Sequence, residues 1–189
     1  MSGRLFVISG PSGVGKGTLI ARARESLPSL ELATSATTRA RRPGEEDGRE
    51  YWFLSPERFQ RGVEEGAFLE HVEFAGHRYG TLRSEVDRRL ANGSSVLLEI
   101  DVPGAREIER QVPQAVLVFI APPDMGDLER RLIARGVNSS EEIANRLRIA
   151  GDEIQARDDF QYVIVNDDLE RAASQLTELI RTVLNEETE

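Results

Sequence analysis

A glycine-rich stretch near the start of the chain constrains the fold more than any other feature. Residues 10–16 read Gly-Pro-Ser-Gly-Val-Gly-Lys, which matches the first seven positions of the pattern G-x-x-x-x-G-K-[ST]. An apolar run at 4–9 precedes it and reads as a buried strand, and residues 16–26 have helical composition. This order predicts a loop whose inward-facing amides, with the positive end of the following helix, bind a phosphate group.

Lys16 is the only lysine among the 24 Lys and Arg residues of the chain. A compact, rotatable ammonium suits the β- and γ-phosphates of a nucleotide, although composition bias with one chance survivor would also explain it. Gly17 replaces the hydroxyl residue that usually contacts Mg²⁺, so either Thr18 substitutes or nucleotide oxygens and water hold the ion. We favour the second alternative, in which ATP carries the Mg²⁺. The residues expected to bind ATP in this loop are Gly10, Pro11, Ser12, Gly13, Val14, Gly15, Lys16, Gly17 and Thr18.

Apolar runs alternate with helical patterns through the rest of the chain. We predict strands at 4–9, 95–100, 115–120 and 162–165, and helices at 16–26, 105–111, 127–134, 141–157 and 169–184. Such an alternation is typical of a parallel sheet covered by helices on both faces. We therefore expect an α/β fold of the P-loop NTPase type, with ligands beyond the carboxyl ends of the strands.

Residues 35–92 interrupt this alternation. They are rich in Arg, Glu, Gly and aromatic side chains, and they read as an inserted subdomain rather than a separate domain. The expected organisation is a single domain with a core at 1–34 and 93–189, the insertion at 35–92, and a lid at about 135–148.

Composition narrows the class of protein further. The 33 Asp and Glu residues outnumber the 24 Lys and Arg residues, and the net charge of −9 disfavours binding to nucleic acids or anionic membranes. The chain has no cysteine, which excludes disulfides and thiolate chemistry. It also lacks an apolar stretch of the roughly 20 residues that span a bilayer. We expect a cytoplasmic protein that acts on small molecules, with no obligatory protein partner.

Several separate motifs, in order along the chain, resemble those of the guanylate kinase family. They are the glycine-rich loop through Thr18, Ser35-Ala36-Thr37-Thr38-Arg39, Arg42-Pro43-Gly44-Glu45, Gly48-x-x-Tyr51-x-Phe53, Phe68-Leu69-Glu70, Gly76-x-x-Tyr79-Gly80-Thr81, Leu98-Glu99-Ile100-Asp101, Arg135-Gly136, Arg146 and Val165-Asn166-Asp167-Asp168. The resemblance runs essentially from end to end. It implies direct transfer of the γ-phosphoryl group of ATP to GMP, which gives ADP and GDP.

The resemblance implies that the insertion binds the acceptor phosphate. Arg39, Arg42, Tyr51 and Tyr79 would hold the GMP phosphate, because guanidiniums and phenols together suit a dianion. A solvated surface run is the alternative for the two arginines, and packing in an apolar core is the alternative for the two tyrosines.

The base would be read by Glu70, with Ser35, Thr81 and Asp101 assisting. Guanine presents its N1–H and 2-amino group as adjacent donors, which one carboxylate can accept together, whereas adenine has neither. Asp101 ends a predicted strand, so it could instead hold Mg²⁺ through water. Glu99 is a competing candidate beside the metal, although packing inside its strand is equally consistent.

Arginines flank an irregular segment at 136–141, which the resemblance makes a lid over ATP. Arg131 would bind ATP, and Arg135 and Arg146 would bring positive charge to the phosphate during transfer. Surface salt bridges are the alternative role for these side chains. The predicted catalytic residues are Lys16, Arg39, Arg135 and Arg146.

Two further positions lie at predicted helix starts. Asn166 follows the last strand, where the resemblance places a contact to adenine, although a turn or N-cap role for residues 166–168 is equally consistent. Ser139 and Glu142 have the spacing of a capping box.

Two other functions stay open. One is a guanylate-kinase-like module that binds a partner protein without catalysis, and retention of Lys16 with its glycines argues against it. The other is a kinase for a different phosphorylated acceptor, against which Glu70 and the pair Tyr51 and Tyr79 argue.

Overall fold

The computed structural model describes residues 3–74, 76–134 and 139–186, and within them the chain forms nine strands and seven α-helices. The strands are β1 (Leu5–Ser9), β2 (Leu30–Leu32), β3 (Ala36–Thr37), β4 (Trp52–Phe53), β5 (Phe68–Phe74), β6 (His77–Leu82), β7 (Ser95–Glu99), β8 (Val116–Ala121) and β9 (Tyr162–Val165). The helices are α1 (Lys16–Ser26), α2 (Pro56–Glu64), α3 (Arg83–Ala91), α4 (Val102–Gln111), α5 (Met125–Ala134), α6 (Ser140–Gln155) and α7 (Leu169–Asn185), and a 3₁₀ turn (Ala156–Asp159) follows α6.

The main sheet has the strand order β2-β7-β1-β8-β9, and all of its strands are parallel. At its centre Val7 pairs with Leu98 on one side and Leu117 on the other. Successive side chains of a strand point to opposite faces, so β1 supplies two separate apolar clusters. Phe6 and Ile8 belong to the cluster under α1 and α7, and Val7 belongs to the cluster under α4. The predicted α/β fold is confirmed.

The four predicted strands of the main sheet are confirmed, and the structure adds β2 at its edge. β2 has only three residues, of which Leu30 alone is fully buried, so it leaves no continuous apolar run in the sequence. α4 begins three residues earlier than predicted because Asp101 accepts a hydrogen bond from Gly104 N–H and caps the helix. Pro103, which we did not read as helical, fits the first turn of a helix, where a backbone N–H is not needed.

A second sheet, with the order β4-β3-β6-β5, is built from residues 36–82. β3 and β5 both pair antiparallel to β6, and β3 pairs parallel to β4. Its small apolar cluster contains Ala36, Phe59 and Phe68, and the two phenylalanine rings stack with centroids 4.4 Å apart. This sheet positions the side chains that we predicted to bind the acceptor.

α3 follows β6 and leads the chain from the second sheet back to β7 of the main sheet. Its Val86 is fully buried in the same apolar cluster as Val7 and Leu98, so the helix packs on the main sheet. The predicted limits of the insertion, 35 and 92, remain a prediction. No helix in the described part of the chain is both long and apolar enough to cross a membrane.

Candidate functional site

Residues 10–15, predicted to bind phosphate and called here the phosphate loop, join β1 to α1 at the carboxyl end of the main sheet, and their backbone requires glycine. Gly10 has φ +135°, and a Cβ there would lie 2.2 Å from the carbonyl oxygen of Ile120. Gly15 is the N-cap of α1 with φ +101°, and a Cβ there would lie 2.7 Å from Nδ2 of Asn166. L-residues rarely adopt such angles, so both positions suit only glycine. The predicted strand–loop–helix is confirmed.

Lys16 reaches back across the loop from the first turn of α1. Its Nζ donates to the carbonyl of Gly10 at 2.6 Å and to the carbonyl of Pro11 at 3.2 Å. The ammonium therefore lies within the loop that the sequence predicts to bind phosphate. Gly17 and Thr18, the next residues of the motif, are exposed.

Asn166 and Arg131 donate hydrogen bonds to the backbone of the phosphate loop. The carbonyl of Val14 accepts hydrogen bonds from Nδ2 of Asn166 at 2.7 Å and from Nη1 of Arg131 at 3.0 Å. Arg131 also donates to the Asn166 carbonyl at 2.7 Å and forms an ion pair with Asp127 at 2.6 Å. Asp168, rather than Asn166, caps α7. The contacts of Arg131 and Asn166 with ATP stay predictions.

α6 brings Arg146 to the phosphate loop. Nη1 of Arg146 donates to Oγ of Ser12 at 3.2 Å, which places a second cation beside the loop. The capping box at the start of α6 is confirmed, since Ser139 and Glu142 bond to each other's backbone N–H groups. Arg135 lies outside the described residues, so its predicted catalytic role is not addressed by the structure.

Glu153, also on α6, lies near the same loop. Burial raises its pKa, whereas attraction to Lys16 and a hydrogen bond from the backbone N–H of Ser12 oppose that rise. The carboxylate is therefore close to the groups expected to hold phosphate. The sequence analysis did not identify Glu153. Its seven-residue spacing from Arg146, which places both on one helix face, is the only signal that points to it.

The structure brings together three of the four predicted guanine-binding residues, Glu70, Thr81 and Asp101. Glu70 is 5% exposed, and its Oε1 accepts a hydrogen bond from Oγ1 of Thr81 at 2.7 Å. A Cβ built on Gly104 would lie 2.9 Å from Oδ1 of Asp101 and 3.1 Å from Oε2 of Glu70. Gly104, which the sequence analysis missed, therefore leaves room for two carboxylates at the start of α4.

Burial raises the pKa of Glu70 to about 7, and repulsion from Asp101 adds to the rise. The hydrogen bond from Thr81 acts in the opposite direction. A buried carboxylate with such a pKa is poised for a ligand that supplies hydrogen-bond donors to it. Ser35 is half-buried and directly precedes β3 of the same sheet, and its carbonyl accepts a hydrogen bond from Trp52 N–H at 2.9 Å.

The predicted acceptor-phosphate residues Arg39, Tyr51 and Tyr79 are also neighbours. The Tyr51 and Tyr79 rings lie 6.0 Å apart at 66°, and Cζ of Arg39 lies 5.3 Å from the Tyr51 ring centroid. Both tyrosines are half-buried rather than enclosed in an apolar core. Burial raises the pKa of Tyr51, so its phenol stays a neutral donor. The side chain of Arg42 is exposed.

The surroundings of Gly17 indicate how Mg²⁺ would be held. A Cβ on Gly17 would lie 3.4 and 3.6 Å from the two carboxylate oxygens of Glu99, so this carboxylate faces the place where the motif usually has a hydroxyl. Across residues 3–74, 76–134 and 139–186, no three His, Cys, Asp or Glu side chains gather into a metal-binding group. Mg²⁺ commonly uses one or two carboxylates plus substrate phosphates and water, which this arrangement fits.

Comparison with known proteins agrees with the geometry. The guanylate kinase family profile matches residues 2–183. The chain is 51% identical over 173 residues to a guanylate kinase of Synechococcus sp. (strain CC9311), covering 92% of this chain and 91% of that protein. It is 47% identical over 182 residues to one from Rubrobacter xylanophilus, covering 96% and 95%.

A crystal structure of guanylate kinase from Anaplasma phagocytophilum is also similar. It superposes with a TM-score of 0.74 at 34% identity, covering 96% of this chain and 86% of that one. The family profile, the sequence relatives and the solved structure therefore agree. The chain belongs to the guanylate kinase family.

Proposed function

We propose that the phosphate loop binds ATP, that the second sheet binds GMP, and that the γ-phosphoryl group passes directly between them. Guanylate kinases are phosphotransferases, and as a member of the family this protein is a kinase that converts ATP and GMP to ADP and GDP. The observation that carries our assignment of the acceptor site is the buried carboxylate of Glu70, held by Thr81 beside Asp101.

Glu70 selects guanine through the hydrogen bonds it can accept. The ionised carboxylate accepts the N1–H and the 2-amino group of guanine together, and burial keeps competing water away. Adenine would leave this buried charge without a donor, and that loss is large in sites built on hydrogen bonds, roughly 10⁴-fold in selectivity. Thr81 orients the carboxylate through its 2.7 Å hydrogen bond, and Ser35 and Asp101 complete the edge of the base site.

Phosphoryl transfer needs positive charge and alignment rather than a covalent intermediate. Lys16 holds the β- and γ-phosphates, and the amides of residues 10–18 surround them. Arg146 on α6 brings a second charge to the ATP side, Arg39 brings one to the acceptor side, and we assign Arg135 to the same task. Holding the two phosphates in line supplies about 7 to 11 kcal/mol of the barrier reduction in well-oriented reactions.

Mg²⁺ would arrive with ATP and neutralise charge that develops on the transferring phosphate. The carboxylate of Glu99 faces Gly17 and would hold the ion through water, and the exposed Thr18 is the nearest hydroxyl in the sequence. Phosphate oxygens and water would supply the other ligands. The chain's net charge of −9 supports small-molecule nucleotides, rather than nucleic acids, as the partners.

A coupled ADP-release assay with ATP and Mg²⁺ tests the proposal, with GMP, AMP, CMP and UMP as separate acceptors. We expect turnover with GMP and little with the other three. In Glu70→Gln the KM for GMP should rise roughly 10- to 100-fold, because a hydrogen bond to a charged group is lost, while the KM for ATP changes little. Glu73→Gln, three residues away on β5 and exposed, is the matched control. Equal losses for GMP and ATP, or no preference among the acceptors, would contradict the assignment.

A further inference from the structure

Glu45 lies in the motif Arg42-Pro43-Gly44-Glu45, and the sequence analysis gave it no role. Its carboxylate binds both terminal nitrogens of Arg39: Nη2 donates to Oε1 at 2.8 Å, and Nη1 donates to Oε2 at 3.0 Å. The two side chains are 11% and 17% exposed, for Arg39 and Glu45 respectively. Hydrogen bonds from Arg39 and from the Arg42 amide lower the pKa of Glu45, so the charge persists at neutral pH. A two-bond pair of this kind fixes the plane of the guanidinium.

A tight turn positions the Glu45 carboxylate. Pro43 and Gly44 are its central residues, and Gly44 has φ +88°, the combination expected of a type II turn. The turn is closed twice, because Glu45 N–H donates to the Arg42 carbonyl at 3.1 Å and Arg42 N–H donates to Oε2 of Glu45 at 2.8 Å. The backbone therefore places this carboxylate independently of Arg39.

The donors of Arg39 can be counted, since a guanidinium carries five N–H groups. Glu45 accepts one from Nη1 and one from Nη2, and the Ala40 carbonyl accepts from Nη1 at 2.8 Å. These three contacts do not use Nε–H and the second Nη2–H, which point in parallel from one edge of the planar group, and Tyr79 also forms a side-chain hydrogen bond with this guanidinium. Two parallel N–H groups are the arrangement that binds two oxygens of a phosphate. Tyr79 interacts with the same guanidinium, so a phosphate bound at this edge would lie near both.

Two aromatic rings lie beside the guanidinium of Arg39. Its Cζ lies 5.3 Å from the ring centroid of Tyr51 and 5.8 Å from that of Phe53. Rings of this kind attract a guanidinium through their π-faces, but that attraction leaves the group free to turn in its own plane. The hydrogen bonds that Arg39 donates to Glu45 set that in-plane orientation.

We propose that Glu45 is a positioning residue for the acceptor phosphate: it orients Arg39 so that its Nε/Nη2 edge faces the phosphate of GMP. The inference rests on the proposed function, which assigns Arg39 to that phosphate. Glu45 acts only through Arg39, because its own negative charge would repel a phosphate in direct contact.

Binding measurements with GMP, guanosine and ATP test this role. In Glu45→Gln an NH₂ group replaces one acceptor oxygen and cannot accept from Arg39. We expect GMP to bind roughly 10-fold more weakly, as when one charge-assisted hydrogen bond is lost. Guanosine, which lacks the phosphate, and ATP should bind as they do to the unmodified protein. The control is Glu46→Gln, since Glu46 is 67% exposed and pairs with Arg49 instead.

A double-mutant cycle with Arg39→Ala separates positioning from a general structural effect. Once Arg39 is removed, Glu45→Gln should weaken GMP binding no further. The inference is overturned if Glu45→Gln leaves GMP binding unchanged or tightens it, if guanosine binding falls equally, or if the loss persists without Arg39. If Arg39→Ala itself leaves GMP binding unchanged, the assignment of Arg39 fails, and the inference fails with it.

Discussion

Glu70 places two opposite demands on one carboxyl group. Recognition of guanine needs the ionised form, whereas burial raises the pKa of the group to about 7 from its ordinary value of 4.5. Between these two values the folded protein keeps a proton that the unfolded chain releases, so stability falls as pH rises through this window. Above about pH 7 the full cost is present, and it amounts to at most about 3 kcal/mol.

Glu70→Gln, which stays neutral at every pH, tests this coupling in the free protein. The variant should be more stable than the unmodified protein at pH 8, and the difference should shrink by about 3 kcal/mol or less on moving to pH 4.5. Urea unfolding at both pH values measures it, and any pH-independent effect of the amide cancels in the comparison. Glu73→Gln, at an exposed position of β5, is the matched control. A difference that stays constant with pH would mean that Glu70 is already ionised in the folded protein.

Gly104 offers a second test at the level of one residue. In Gly104→Ala the added methyl group would lie 2.9 Å from Asp101 and 3.1 Å from Glu70, so the two carboxylates must move. We expect the KM for GMP to rise roughly 10-fold, in line with overpacking costs of about 1 to 3 kcal/mol, with the KM for ATP little changed. Gly151→Ala is the matched control, because among the described residues a Cβ there meets no atom within 4 Å outside its chain neighbours and the backbone of its own helix. An unchanged KM for GMP would show that this part of α4 does not shape the base site.

At the scale of elements, the main sheet could be predicted because its strands are continuous apolar runs. The phosphate loop could be predicted because its spacing is set by local backbone geometry. β2 could not be predicted, since three residues with one fully buried side chain show no alternation of apolar and polar positions. The contacts of Gly104 and Glu153 could not be predicted either, because each depends on which elements meet in space. Local pattern specifies the elements, and tertiary packing decides which side chains share a site.

Asn166, directly after β9, and Arg131 on α5 both hydrogen-bond to the phosphate loop, and this gives a prediction at the scale of elements. Asn166→Ala and Arg131→Ala each remove one of two donors to the Val14 carbonyl, and each should cost about 1 to 2 kcal/mol of stability without nucleotide. The double variant should cost more than the sum, because the carbonyl then has neither donor. Urea unfolding measures the cycle, and Asn145→Ala on the exposed face of α6 is the control. Strict additivity would show that the two side chains do not support the loop jointly.

At the scale of the whole molecule, one buried carboxylate links the segments that lead into and out of the second sheet. Glu85 on α3 is 5% exposed and pairs with Arg88 and Arg89. Its Oε1 also accepts a hydrogen bond from Thr34 N–H at 3.4 Å, just before the chain enters the second sheet. Arg89 in turn pairs with Glu31 on β2. The outgoing and returning segments are thus joined by one ion-pair network beside the main sheet.

Glu85→Ala should therefore lower the stability of the protein and change the position of the second sheet relative to the main sheet. We expect a loss of about 3 kcal/mol, the lower end for breaking a buried ion pair, because Arg89 keeps Glu31 as a partner. Thr34 loses its side-chain acceptor at the entry to the second sheet, so the KM for GMP should rise more than the KM for ATP. Urea unfolding and the coupled assay measure the two effects, with Asp87→Ala on the exposed face of α3 as control. If both KM values rise equally, the network supports the fold as a whole and does not specifically hold the acceptor sheet in place.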